Sequence, residues 1–175
     1  EAGFRHIGEN RWQDAADKWA ALGDQATWHF IGHLQSNKVK DVLGKFRYIH
    51  SLDRLSLARE LEKRAAAIGI RVSCFLQLNI SGEQTKHGLP PDQCLAFARE
   101  IAAFDHLDVI GLMTMAPYEA EPERTRPVFR ALREWRDRLN DAGIFRHPVR
   151  ELSMGMSNDF EIAVQEGATW IRLGS

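Results

Sequence analysis

A chain of 175 residues with 44% apolar content is long enough to bury one sizeable core and short for two ordinary domains. Its 23 basic and 24 acidic residues leave a net charge of −1, so nothing sequence-wide draws it to a nucleic acid or an anionic membrane, and any anion must be held by a local site. No apolar run approaches the roughly 18 residues needed to cross a bilayer, no secretory leader opens the chain, and Cys74 and Cys94 lie in apolar runs without a CxxC pair, so a soluble cytoplasmic protein with buried structural thiols is expected.

Seven short apolar runs alternate with stretches at helical spacing: residues 4–7, 28–31, 48–50, 72–80, 109–115, 152–156 and 170–173. The helix after the third run shows the logic: Asp53 can cap it, Leu57, Leu61, Ala65 and Ile68 make its buried stripe, and Gly69 ends it. Asp92 can likewise cap a helix with an inward face of Cys94, Phe97, Ala98 and Ile101. Val128, Leu132, Trp135 and Leu139 mark another, whose Arg130, Arg133, Arg136 and Arg138 alternate with Glu134 and Asp137 and read as a solvated face.

Repeated strand–helix units build either an open doubly wound sheet or a closed barrel. Polar, Gly or small residues follow six of the seven runs, and chemistry spread over most strand ends favours the barrel, whose working rim lies at the strand C-termini. A full barrel takes eight strands, so seven runs imply one strand outside this chain, before its first residue.

The sixth run opens through Ser153, Met154, Gly155 and Met156 onto Ser157, Asn158 and Asp159, where a helix start would expose unpaired N–H groups suited to a phosphate. Ser157 could equally be a plain N-cap. The last run ends in Gly174 and Ser175, and barrels often hold phosphate between the loops after their last two strands. Arg172, two residues before Gly174, shares its sheet face. His29, His33 and His50 are the one histidine grouping near strand ends. His29 lies in an apolar run and His33 and His50 lack nearby carboxylates, so no metal site is expected.

Seven segments together carry a family resemblance: 7–10, 28–32 with 34–38, 49–53, 77–81 with Lys86 and Gly88, 111–115, 153–157 and 172–175. In this order the chain resembles the pyridoxal phosphate homeostasis protein family, related to the N-terminal barrel of alanine racemases. The resemblance implies an α/β fold, a (β/α)8 TIM barrel of the alanine racemase N-terminal type lacking its first strand and last helix, with residues 1–175 as a single incomplete barrel domain. It implies pyridoxal 5′-phosphate as cofactor: Ser157, Gly174 and Ser175 on the phosphate with Asn158 assisting, Arg172 facing the pyridine nitrogen, and Asn10 beside the ring.

The family joins the cofactor as an imine to a lysine on the first barrel strand, upstream of this chain. None of Lys18, Lys38, Lys40, Lys45, Lys63 and Lys86 matches it, and only Lys38 and Lys86 fall near the expected rim. The implied function is a non-catalytic carrier in vitamin B6 homeostasis, with pyridoxal 5′-phosphate and PLP-dependent apoenzymes as partners, and neither nucleic acid nor membrane. The alternative is a racemase-like enzyme, which needs an opposing acid or base. Neither Tyr48 nor Tyr118 is suitably placed for that role.

Overall fold

The computed structural model describes residues 5–83, 87–117 and 121–174; Phe4, Lys86, Tyr118 and Ser175 fall outside them. The elements alternate as expected: β1 (His6–Glu9), α1 (Trp12–Leu22), β2 (Thr27–Phe30), α2 (Val39–Val42), β3 (Tyr48–Leu52), α3 (Leu55–Ile68), β4 (Val72–Gln77), α4 (Cys94–Ile101), β5 (Leu107–Met113), α5 (Pro122–Asp141), β6 (Glu151–Ser153) and α6 (Phe160–Gln165). All neighbouring strands are parallel and their spatial order equals their chain order. A doubly wound sheet reverses order at a switch point; stepping always to the next position is the course of a (β/α)8 barrel.

Period-2 alternation divides the strand residues between two apolar layers. On the helix side Trp28 and Phe30 of β2 meet Phe46 edge-on, with centroids 5.9 and 5.4 Å apart, within the main core. On the opposite face a smaller cluster forms from Ile31, Phe75 and Met113, with Tyr48, Ile110, Met115 and Trp170 packed on it. Gly111 sits between these layers. A Cβ there would lie 2.4 Å from the Glu151 carbonyl oxygen and 2.7 Å from the Phe75 ring. Gly111→Ala is therefore expected to cost about 2 kcal/mol through overpacking, read as a lower urea midpoint with an unchanged m-value.

Several local expectations are corrected. The seventh apolar run is not a strand: Trp170 makes an isolated parallel bridge to Ser153, formed by Trp170 N–H to Leu152 O and Met154 N–H to Trp170 O, both 3.1 Å, and beyond it Arg172 N–H donates to Gly155 O at 2.9 Å. Gly155 turns here at φ 104°, and a Cβ on it would meet the Ala163 methyl at 2.6 Å, so the chain bends and the ladder does not extend.

Asp53 does not cap α3. Arg54 holds the N-cap position without a side-chain bond, because Asp53 is turned toward the Gly88 N–H and the Arg54 guanidinium. Asp92 lies inside a tight turn over Pro91–Gln93, leaving Gln93 at the start of α4. Ile68 is 57% exposed, since α3 buries Leu57, Ala58, Leu61 and Ala65. Gly69 closes α3 in the left-handed conformation, as expected.

The arginine face of α5 is only partly solvated. Arg126, Arg130 and Arg133 converge on the buried carboxylate of Glu166 at 2.7, 3.3 and 3.3 Å. The Arg126 and Arg130 hydrogen bonds hold that carboxyl below its ordinary range. The expectation of buried thiols holds: Cys74 and Cys94 are free and buried, and burial pushes both thiol pKa values up, that of Cys94 to about 11. No helix among the described residues is long and apolar enough to cross a membrane.

Candidate functional site

Trp170, Arg172 and Gly174 alternate along one extended segment beside β6. Trp170 therefore enters the small inner cluster, with its ring 4.8 Å from Tyr48 and 5.3 Å from Phe75, and Arg172 follows on the same face. Two bonds fix the guanidinium: Nη1 donates to Ser153 Oγ at 2.7 Å and Nη2 to the Thr114 carbonyl at 3.1 Å. Nε is buried and has no partner among the described residues. Burial pushes the Arg172 pKa down to about 10, against the raising effect of Asp159, and the group stays a cation at neutral pH.

Behind Arg172 runs a chain of side-chain hydrogen bonds. Ser153 Oγ is 2.8 Å from His50 Nδ1, His50 Nε2 is 3.0 Å from His29 Nδ1, and His29 Nε2 is 3.0 Å from His6 Nδ1. The guanidinium can only donate, so Ser153 accepts from it. Were His50 Nδ1 also to donate to Ser153, the serine proton would lack an acceptor. The satisfied assignment has Ser153 donating to His50 Nδ1, His50 Nε2–H to His29 and His29 Nε2–H to His6, with His50 and His29 neutral. Electrostatics agree. Burial, then His29 and Arg172, push the His50 pKa down to about 2, and burial with His6 pushes that of His29 down to about 4.

At the rim, Ser157 and Gly174 meet. The Gly174 N–H donates to Ser157 Oγ at 3.0 Å, and the hydroxyl donates back to the Gly174 carbonyl. Ser157 is not the cap of α6: residues 157–159 form a turn, and Asp159, at the N-cap position, accepts the Met156 N–H at 2.7 Å. Asn158 is exposed in that turn. Asn10, just past β1, lines a cleft of about 230 Å³ with Trp12, Phe30, His33, Gln35 and Lys38.

The structure thus joins Ser157 to Gly174 and sets Arg172 in place. Asn10 lies at the far end of the strand order, and Ser175 is outside the described residues. Sequence reasoning missed the supports: Ser153, Thr114, His50 and His6. Their signal was available as polar residues at inward positions of otherwise apolar strands. His29 is the hydrogen-bonded core residue that its apolar run suggested. His33 does not join His29 and His50; it lies beside Asp53 and His87, so the expectation that it lacks a carboxylate neighbour is corrected.

The residues suit pyridoxal phosphate on one direct observation. A buried, charged N–H donor without a partner needs an acceptor, and a pyridine nitrogen placed against Arg172 Nε is such an acceptor. The hydroxyl of Ser157 and the N–H of Gly174, exposed at the same end of the segment, bond each other's residue and become donors to a phosphate on exchanging those bonds.

Comparison with known proteins agrees with this architecture. The alanine racemase N-terminal domain family matches residues 1–175. The pyridoxal phosphate homeostasis protein of Aquifex aeolicus (strain VF5) is 45% identical over 174 residues, which cover 99% of this chain and 75% of the relative. The structure of PipY of Synechococcus elongatus PCC7942 with PLP bound superposes with a TM-score of 0.89 at 38% identity, covering 99% of this chain and 81% of that one. Alanine racemase of Clostridium difficile 630, at 15% identity and a TM-score of 0.78 over 97% of this chain and 46% of its own, shares the fold. This chain belongs to the alanine racemase N-terminal domain family, among its pyridoxal phosphate homeostasis proteins.

Proposed function

We propose that this protein binds pyridoxal 5′-phosphate and serves in vitamin B6 homeostasis as a carrier that takes up and releases the cofactor without turning over a substrate. The observation that carries the reading is Arg172: a half-buried cation locked by Ser153 and Thr114, whose buried Nε–H has no partner among the described residues and suits the pyridine nitrogen. Ser157 and Gly174, with Ser175 and Asn158, hold the phosphate, and Asn10 stands beside the ring. PLP-dependent apoenzymes receive the released cofactor. The cytoplasm is the compartment, a placement supported by two free buried thiols.

Bound pyridoxal phosphate supplies an electron sink, whose strength depends on protonation of the pyridine nitrogen. A permanent guanidinium donor against that nitrogen disfavours its protonation, so Arg172 favours holding the cofactor over carbanion chemistry. Tyr48 lies 4.8 Å from His29, stacked at 15°, and the same distance from Trp170, and is committed to the inner cluster.

Two measurements on the full chain test the proposal. Proton exchange at Cα of alanine in deuterated buffer is expected to run no faster with protein plus pyridoxal phosphate than with pyridoxal phosphate alone; a protein-dependent rate would establish an enzyme. Ser157→Ala is expected to weaken cofactor binding roughly tenfold, the value of about one hydrogen bond to a charged group. It should leave binding of pyridoxal, which lacks the phosphate, unchanged.

A further inference from the structure

A second group of ligand-type side chains stands on the rim away from Arg172, Ser157 and Gly174. His33 lies in the loop after β2, Asp53 one residue past β3, and His87 in the loop after β4, whereas the Ser157 turn follows β6, two strands beyond β4 in the sheet order. One ligating atom from each of the three lies within 4.8 Å of the other two. The rings of His33 and His87 face each other with centroids 4.0 Å apart, tilted by 17°.

Asp53 is the anchored member. Its Oδ2 accepts the Gly88 N–H at 3.0 Å and its Oδ1 accepts from Arg54 at 3.1 Å, and the Gly88 bond ties the His87 loop to the end of β3. Each carboxylate oxygen keeps a lone pair after one bond.

We propose that His33, Asp53 and His87 form a binding site for a divalent transition-metal ion of the zinc class, with the remaining coordination left to water. Two imidazole nitrogens and a carboxylate oxygen suit zinc, whereas calcium and magnesium take all-oxygen sets. Bonds of about 2.0–2.2 Å in a tetrahedral site put ligand atoms about 3.4 Å apart. Spacings within 4.8 Å therefore close by at most about 1.4 Å, within the reach of rotation at two exposed histidines while Asp53 stays fixed. The bound ion would fasten together the loops after β2, β3 and β4, and through His33 the wall of the Asn10 cleft.

Cobalt(II) titrated into the full chain, in the absence of cofactor, is the test. The expected result is saturation at one equivalent with visible d–d absorption, weakened roughly tenfold or more by His33→Asn and by His87→Asn separately. Zinc should raise the melting temperature of the unmodified chain and of neither variant. Both replaced side chains are exposed, and circular dichroism verifies that the variants keep the fold. No saturable cobalt binding, or binding of equal affinity in the parent and both variants, would overturn the site. Neither outcome bears on pyridoxal phosphate binding, because the probe is the metal alone.

Discussion

Arg172→Leu is expected to weaken pyridoxal phosphate binding roughly a hundredfold, the consequence of losing a charge-assisted bond worth about 3 kcal/mol in a dry site. Leucine keeps an apolar stem of similar reach but offers the pyridine nitrogen nothing, and it leaves Ser153 Oγ and the Thr114 carbonyl without their donor. Arg172→Lys should fall between the two, since an ammonium keeps the charge and loses the fork that reaches both partners at once. Ser153→Ala is the informative companion. It removes one guanidinium anchor and the link to His50 while leaving Arg172 present, so a partial loss of affinity assigns Ser153 a positioning role. Fluorescence titration with the cofactor reads all three, and an Arg172→Leu chain that binds as tightly as the parent would remove Arg172 from the site.

Stability is expected to fall by about 4 kcal/mol between pH 7 and pH 5, because His29 and His50 stay neutral in the fold and protonate in the unfolded chain. The sign follows from the depressed folded values: to about 4 for His29 and about 2 for His50, against 6.5 unfolded. Well above pH 6.5 neither state binds the extra proton and nothing is lost. As pH falls below 6.5 the unfolded chain takes up protons that the fold refuses, at up to about 1.4 kcal/mol per pH unit for each histidine. The groups facing these rings are His6, Ser153 and Arg172, none of which supplies a negative charge to rescue an imidazolium. Urea midpoints at the two pH values measure the effect, and His29→Gln should flatten the slope. A stability independent of pH over this window would contradict the neutral chain of imidazoles.

The alternation of strands and helices was legible in the sequence because each inner strand carries a short apolar run and each helix a stripe at 3.6 spacing, as Cys94, Phe97, Ala98 and Ile101 of α4 illustrate. The run at 170–173 misled on length. Its residues do lie beside β6, but whether an apolar run completes a ladder depends on the bend at Gly155, which the run itself does not encode. Caps failed for a related reason. Asp53 and Asp92 are good capping residues locally, yet Asp53 is drawn 35 positions along the chain to Gly88.

Within the site, Arg172, Ser157 and Gly174 could be named because sheet alternation and the rim rule act over a few residues. The bonds that hold Arg172 could not. Thr114 and Ser153 approach it from β5 and β6, and His50 from β3, contacts that exist only once the sheet has formed. The meeting of His33, Asp53 and His87 escaped notice for the same reason: a carboxylate beside His33 comes from a different strand end.

Equilibrium dialysis of the full chain against pyridoxal phosphate, with Arg172→Leu and Ser157→Ala alongside, tests the central claim most directly. The account predicts saturable uptake at one equivalent, reduced strongly by the first substitution and moderately by the second. No saturable uptake, or uptake that both substitutions leave unchanged, would contradict it.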